Sequence, residues 1–319
     1  MKSKSAPLKR VLIELPTWLG DCIMATPAIE NIVKANPDVK IVFFGSYVST
    51  SLMQKHPNVE QIVLDKSKSA KSRLLWIYKM AKSLGKFDLA ITFRRTLFAK
   101  LFIFFSKAKV KGYYKRYTKE QIHLVKRYND FLNRTLNSSF TPGSLKIYIE
   151  PETFERKTLG INPGATYGSA KRWYPDKFAK VAAHFSKDFD IIIFGGPNEI
   201  EVANEIAGHL ESMGVKNYKN LAGKTTIERL CSHIGGCSLF ITNDSGPMHV
   251  AAAYKVPTVA IFGPTKDKET SQWQNPKGVI VKKELSCAPC MKRSCPLKHH
   301  ECMKLIEAED VISAAKKVI

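Results

Sequence analysis

The chain has 319 residues, 44% of them hydrophobic, and carries 50 lysines and arginines against 28 acids, a formal charge of +22. That length suffices for two domains with separate cores, and the cationic surplus favours phosphate-bearing partners, whether nucleic acid, anionic lipid or nucleotide. Seven cysteines, an odd number, argue against a disulfide framework, and the longest apolar run, Leu97–Phe105, is too short and too interrupted by Lys100 to span a bilayer.

Strand-like and helical runs alternate from the start. The segment MKSKSAPLKR runs directly into VLIEL, which is too short for the apolar core of a secretory signal, so the chain is expected to stay in the cytoplasm. Residues 10–15 are expected as the first strand, followed by a helix opening near Pro27. Strands are then expected at 39–45, 59–64 and 87–93, with helices at 48–55 and 74–84. The run at 97–105 reads as the buried face of a helix, with a membrane-docking face as the alternative. A long helical segment, 119–136, closes this half.

The turns TPGS and PET mark residues 137–155 as a linker region, within which 145–149 is a candidate extra strand. Alternation then restarts with strands at 159–162, 189–195, 238–241 and 256–262. Between and around them lie helical patterns at 178–185, 199–213 and 227–234. Such repetition predicts an α/β protein with two doubly wound parallel sheets in tandem, whose ligands gather at the carboxyl ends of the strands.

Four loops at those ends carry polar chemistry. In FITNDSGPMHVAAA a helix is expected to start near Ser245 with Asn243 or Asp244 as its cap. The free amides of Ser245 and Gly246 would then favour an anionic phosphate, with His249 one turn further on. Asp244 as a cap alone and His249 as a core histidine stay open. In INPGATYGSAKRWYP, Thr166 and Ser169 offer hydroxyls and Lys171 a point charge, unless Lys171 and Arg172 are a solvated pair. In FGGPNEIEV, Glu199 stands at a helix start, where a carboxylate caps or accepts from ribose hydroxyls. In LPTWLGDCIMATPAI, Asp21 follows the first strand as either ordinary loop chemistry or a general base.

Taken together, TWLGD, PGATYGSAKRW, FGGPNEIE, and TNDSGPMHVAAA with VPTVAIFGPT resemble the ADP-heptose:lipopolysaccharide heptosyltransferases of glycosyltransferase family 9, in order and spacing, over nearly the whole chain. TWLGDCIMATPAI, GSAKRW and NLAGKTTIERL are most similar to the type II branch, which adds the second heptose of the inner core. The resemblance implies a GT-B fold, two Rossmann-like doubly wound domains facing across a cleft. The acceptor-binding domain would span 1–150 and the donor-binding domain 156–306, with a final helix in 307–319 returning to the first. It implies inverting, metal-independent transfer from ADP-L-glycero-β-D-manno-heptose to a heptosyl-Kdo-lipid A acceptor at the inner face of the cytoplasmic membrane. By the same resemblance Asp21 is the catalytic base, Lys171 contacts the donor diphosphate, Thr166 a neighbouring phosphate or sugar, and Glu199 holds the ribose, with Glu201 close enough in register to compete. Asp244, Ser245, Gly246 and His249 grip the heptose hydroxyls and distal phosphate.

The stretch from Arg94 to Glu120 concentrates cations and aromatics, which suits an acidic acceptor at a membrane. A transferase for another core position keeps the same motifs. A nucleic-acid-binding protein would use the charge but leave Asp21, Glu199 and the Asp244 loop without purpose, so no nucleic acid is expected as a partner. Near the end, Cys287, Cys290, Cys295 and Cys302, with His299 and His300, have the density of a structural zinc site, a redox cluster, or clustered thiols with an adventitious disulfide, and no place in transfer chemistry.

Overall fold

The computed structural model describes residues 7–319; residues 1–6, part of the basic start weighed above as a signal, lie outside the described residues. Two compact units divide the chain, Met1–Tyr148 and Ile149–Ile319.

The first unit holds β1 (Arg10–Glu14), β2 (Lys40–Gly45), β3 (Val59–Leu64), β4 (Lys86–Thr92) and β5 (Lys107–Tyr113), all parallel, in the order β3-β2-β1-β4-β5. The central strands are continuous apolar runs because helices cover both faces of such a sheet. Leu12, Val42, Phe44 and Phe102 lie in one buried cluster, where the Phe44 and Phe102 rings stack at 3.9 Å. The β5 segment, KAKVKGY, was read from sequence only as a basic stretch. It is an edge strand whose Lys107 and Lys109 face water and discourage further pairing.

The helix expected to open near Pro27 instead spans Leu19–Ala35, with Pro27 inside it. Proline cannot donate to the carbonyl of Ile23, and the Thr26 hydroxyl does so in its place at 2.7 Å. Asp21 is therefore in the first helical turn. The helix expected over 119–136 starts only at Leu124. Residues 145–149 form no strand. Leu145, Ile147 and Ile149 are buried in alternation, but the segment runs beside the 19–35 helix, where Lys146 N donates to Thr26 Oγ1 at 3.0 Å and Tyr148 Oη to Glu30 at 2.9 Å.

The second unit holds β6 (Thr158–Asn162), β7 (Asp190–Ile193), β8 (Tyr218–Asn220), β9 (Leu239–Asn243), β10 (Thr258–Ile261) and β11 (Gly278–Val281), all parallel, in the order β11-β10-β9-β6-β7-β8. The edge strands β8 and β11, of three and four residues, are too short to stand out in the sequence. Trp173 and Phe178 anchor the core on one face of this sheet. The last helix is Ala308–Lys316. Its Ala308, Val311, Ala314 and Ala315 join this second core, beside the helix Pro175–Phe185 and strands β10 and β11.

In both sheets the strand order reverses beside the first strand of the unit, between β1 and β4 and between β6 and β9. Loops leaving neighbouring strands in opposite directions open a crevice at such a point. Both candidate sites lie there.

Candidate functional site

In the first unit, the loops after β1 and β4 and the start of the helix Leu124–Leu136 line a recess of about 540 Å³. Asp21 lies in it with Arg94, Arg95, Arg116 and Arg127, beside Trp18, Tyr114 and Tyr128. Trp18 is 55% exposed, and Tyr128 stacks edge-on to Tyr114 at 5.0 Å. Burial raises the Tyr114 hydroxyl above its usual range; the guanidiniums of Arg127, Arg95 and Arg116 pull it back and Asp21 adds to the rise. One carboxylate in the positive field of a helix start, ringed by four guanidiniums, suits an acidic ligand with a hydroxyl to be activated. Arg94 is itself fixed from behind, 3.1 Å from Glu14 Oε1 and 3.7 Å from Asp65. Sequence reasoning singled out Asp21 and the basic stretch but not this set of arginines, which come from three separated segments.

In the second unit, the loops after β6 and β9 are stitched together by two asparagines. Asn162 Nδ2 donates to Gly164 O and Ser245 Oγ, while Asn243 Nδ2 donates to Pro163 O at 2.6 Å and Asn243 Oδ1 accepts from Trp173 N at 3.1 Å. Asn243 and Asp244, expected as helix caps, are thus committed elsewhere. Ser245 is the N-cap position of the helix Gly246–Ala253, without a side-chain cap bond. The stitching brings Lys171 to Asp244, whose Oδ2 lies 2.5 Å from Lys171 Nζ; the same amine donates to the Asp244 carbonyl at 3.2 Å. Thr265 Oγ1 donates to the same carboxylate at 2.6 Å. Asp244 is 4% exposed and His249 is 3% exposed, one turn into the helix.

Glu199 comes to this constellation from the loop after β7. Its Oε2 accepts from Gly196 N at 2.8 Å, and its carboxyl lies so close over Gly164 that a Cβ there would meet the Glu199 Cδ at 2.0 Å. Glu201 is exposed on the following helix. Thr166 is exposed at the tip of the loop that carries Lys171. Lys171, Asp244, Ser245, Gly246, His249 and Glu199 are therefore gathered at one sheet end, with Thr166 at its margin.

The cysteine-rich segment 287–302 packs beside them. Cys287, Cys290, Cys295 and Cys302, with His299 and His300, line a cavity of about 20 Å³. Among the described residues no three histidine, cysteine or acidic side chains are placed to hold a metal ion, so the thiols weighed above as a zinc site or a cluster lie together without a metal-ligand geometry. All seven cysteines are free thiols.

Two parallel α/β units, one with a carboxylate among arginines at its switch point and the other with a lysine-bearing loop cluster at its own, define the class as a doubly wound α/β protein. Residues 29–301 match the model of glycosyltransferase family 9 (heptosyltransferase). The chain is 43% identical to a lipooligosaccharide heptosyltransferase 2 of Campylobacter jejuni subsp. jejuni serotype O:2, covering 97% of this chain and 98% of that one. It belongs to glycosyltransferase family 9. The fold resembles a family 9 glycosyltransferase from Veillonella parvula (TM-score 0.80, 23% identity, 97% of each chain). It also resembles the ADP-heptose lipopolysaccharide heptosyltransferase II of Escherichia coli (TM-score 0.79, 21% identity, 97% of this chain and 98% of that one). An Escherichia coli heptosyltransferase solved with ADP-2-deoxy-2-fluoro heptose has the same fold (TM-score 0.76, 16% identity, 97% and 99%).

Proposed function

We propose that this protein is an inverting transferase moving L-glycero-D-manno-heptose from ADP-heptose to the first heptose of the lipopolysaccharide inner core. The single observation that carries the reading is Asp21 among four arginines at the β1–β4 switch point. The guanidiniums hold the acidic groups of a Kdo-bearing acceptor, and Asp21 removes the proton of the attacking hydroxyl. The second unit takes the donor. As the glycosidic bond breaks, negative charge grows on the leaving ADP, and Lys171 with the amides at Ser245 and Gly246 stabilises it most in the transition state. Thr166 contacts the phosphates, Glu199 the ribose, and Asp244 and His249 the heptose. Lys171 and the helix amides supply the positive charge, so transfer proceeds without a metal ion.

The relatives named above support this assignment, since the Campylobacter protein is a heptosyltransferase 2 and the Escherichia coli structure carries an ADP-heptose analogue. Purified protein, ADP-heptose and an acceptor bearing one heptose should give a heptose-sized mass gain, with or without EDTA. Asp21→Asn should keep donor binding and lose about two orders of magnitude in turnover. Retained turnover in that variant removes Asp21 as the base.

The acceptor is a lipid, and the first unit offers a surface for meeting it. Residues 66–119 contain sixteen lysines and arginines and a single acid, Asp88. No helix among the described residues is long and apolar enough to cross a membrane. In the helix Leu97–Phe105, weighed above as a buried face or a membrane-docking one, Ala99, Phe102 and Ile103 face the core, while Leu97 and Phe104 are exposed. On the neighbouring helix Arg73–Ser83, Leu74, Leu75 and Tyr78 are exposed, and Tyr78 meets Phe105 edge-on at 5.2 Å. Lys82 and Lys111 rim this apolar patch. Such a surface suits peripheral binding to the inner, anionic membrane face. Co-sedimentation with phosphatidylglycerol vesicles should be lost in Leu97→Ser/Phe104→Ser; undiminished binding removes this surface.

A further inference from the structure

The cysteine-rich segment has no chemical part in transfer, yet it touches both loops of the second-unit site. Tyr167 Oη donates to Met291 O at 2.7 Å, and Ala170 N donates to Arg293 O at 3.0 Å. Gly168 passes so close that a Cβ there would meet Arg293 O at 2.2 Å. His300 Nε2 lies 2.9 Å from Ala170 O, and a carbonyl only accepts, so Nε2 carries the proton; Nδ1 is left to accept from Tyr174 Oη at 3.2 Å. Ala170 immediately precedes Lys171. On the other side, Met291 N donates to Pro264 O at 2.8 Å, and the next residue, Thr265, holds the Asp244 carboxylate. Ala170 and Pro264 also form two walls of the small cavity that the four thiols line.

We propose that segment 287–302 is a buckle joining the Lys171 loop to the Asp244 loop, that His300 is a positioning residue for Lys171, and that adding bulk to the thiols of this segment loosens the grip on a nucleoside diphosphate. The proposal rests on the donor reading of the second unit. Lys171 sits on a loop of irregular backbone, and the bonds from Met291, Arg293 and His300 fix that loop where β6 and its helix do not reach. A charge acts on a developing anion only where it is held in advance, so loosening the buckle costs donor binding before it costs stability.

The thiols divide by reactivity. Burial pushes the Cys231 thiol up to about 12 and raises Cys237 as well. Burial, with the neighbouring thiols of Cys290, Cys287 and Cys295, pushes Cys302 up to about 11. Cys287, Cys290 and Cys295 are only half-buried. A maleimide, which adds the thiolate sulfur across its double bond and takes a proton on carbon, should therefore label these three first.

The test is ADP binding by calorimetry on the full chain, a readout independent of transfer. His300→Asn keeps a residue that tolerates the left-handed backbone at this position, where φ is 53°, but is too short to reach Ala170 O. It should weaken ADP binding by about tenfold, the scale of one lost loop-fixing hydrogen bond, with the acceptor KM changed by less than about twofold. N-ethylmaleimide on the wild type should weaken ADP binding in step with adducts at Cys287, Cys290 and Cys295 counted by mass spectrometry. The variant Cys287→Ser/Cys290→Ser/Cys295→Ser should bind ADP equally well before and after treatment. Labelled wild type that binds ADP like the unlabelled protein overturns the proposal whether or not His300→Asn folds. Failure of the untreated wild type to bind ADP at all removes the donor reading, and the buckle with it.

Discussion

Replacing Glu14 by glutamine isolates one buried charge. Glu14 is 1% exposed at the carboxyl end of β1, with Oε1 bonded to Arg94 and Oε2 without a hydrogen bond. Burial pushes its carboxyl up to about 7 from 4.5; Arg94 and Thr92 pull it down, and Asp65 adds to the rise. A folded-state value above the unfolded one means that the contribution to stability is fully present below 4.5 and is lost as pH climbs through about 7. At about 1.4 kcal/mol per unit, the loss between about pH 5 and pH 8 comes to about 2–3 kcal/mol. Glutamine carries no charge at any pH, so Glu14→Gln lacks this component while every other titrating group is kept. Urea unfolding of the full chain, followed by tryptophan fluorescence at several pH values, compares the two proteins. Trp18 and Trp76 report on the first unit, whose transition is treated separately because a two-unit chain need not unfold in one step. The stability of the variant relative to wild type should rise by about 2 kcal/mol from about pH 5 to pH 8. Parallel pH dependences in the two proteins would refute the assignment of a buried, ionising Glu14.

Three further outcomes are expected. Lys171→Ala should raise the donor KM and lower kcat together, each by about tenfold or more, because the charge serves both bound and departing diphosphate; unchanged steady-state kinetics would remove the phosphate contact. Gly164→Ala puts a methyl group where the Glu199 carboxyl lies, 2.0 Å from its Cδ, and should weaken ADP binding in calorimetry while leaving acceptor binding intact. Arg95→Ala removes an exposed guanidinium from the first-unit recess, so the acceptor KM should rise and its salt dependence flatten, with donor binding unaffected; an unaltered salt profile would show that the recess does not meet the acceptor's charge.

The buried strands were legible because a parallel sheet covered on both faces must be written as unbroken apolar runs, as in residues 11–13 and 239–241. Edges were not: KAKVKGY spends its alternate positions on lysines and loses the apolar signature. Pro27 misled in an instructive way, since the rule that proline opens a helix fails where a neighbouring hydroxyl satisfies the orphaned carbonyl. The polar loops at the ends of β6 and β9 could be found from their residue types, but the Lys171–Asp244 pair could not, because 73 positions separate its members and only the sheet order joins them. The same holds for the recess, in which residues near 21, 94, 116 and 127 converge. Glu14 was hidden inside an apolar run, where a carboxyl gives no periodic signal.

Lys171 has a consequence for discrimination among anions. Its charge is answered by a carboxylate fixed in the same chain and almost wholly withdrawn from water. On the proposed donor role, an incoming anion would exchange with Asp244 rather than simply settle on a bare cation. Orthophosphate, with one small group to offer, is poorly equipped for that exchange, whereas a ligand anchored at several remote points can afford it. If Lys171 holds the donor diphosphate as proposed, the internal counterion is a threshold against simple anions.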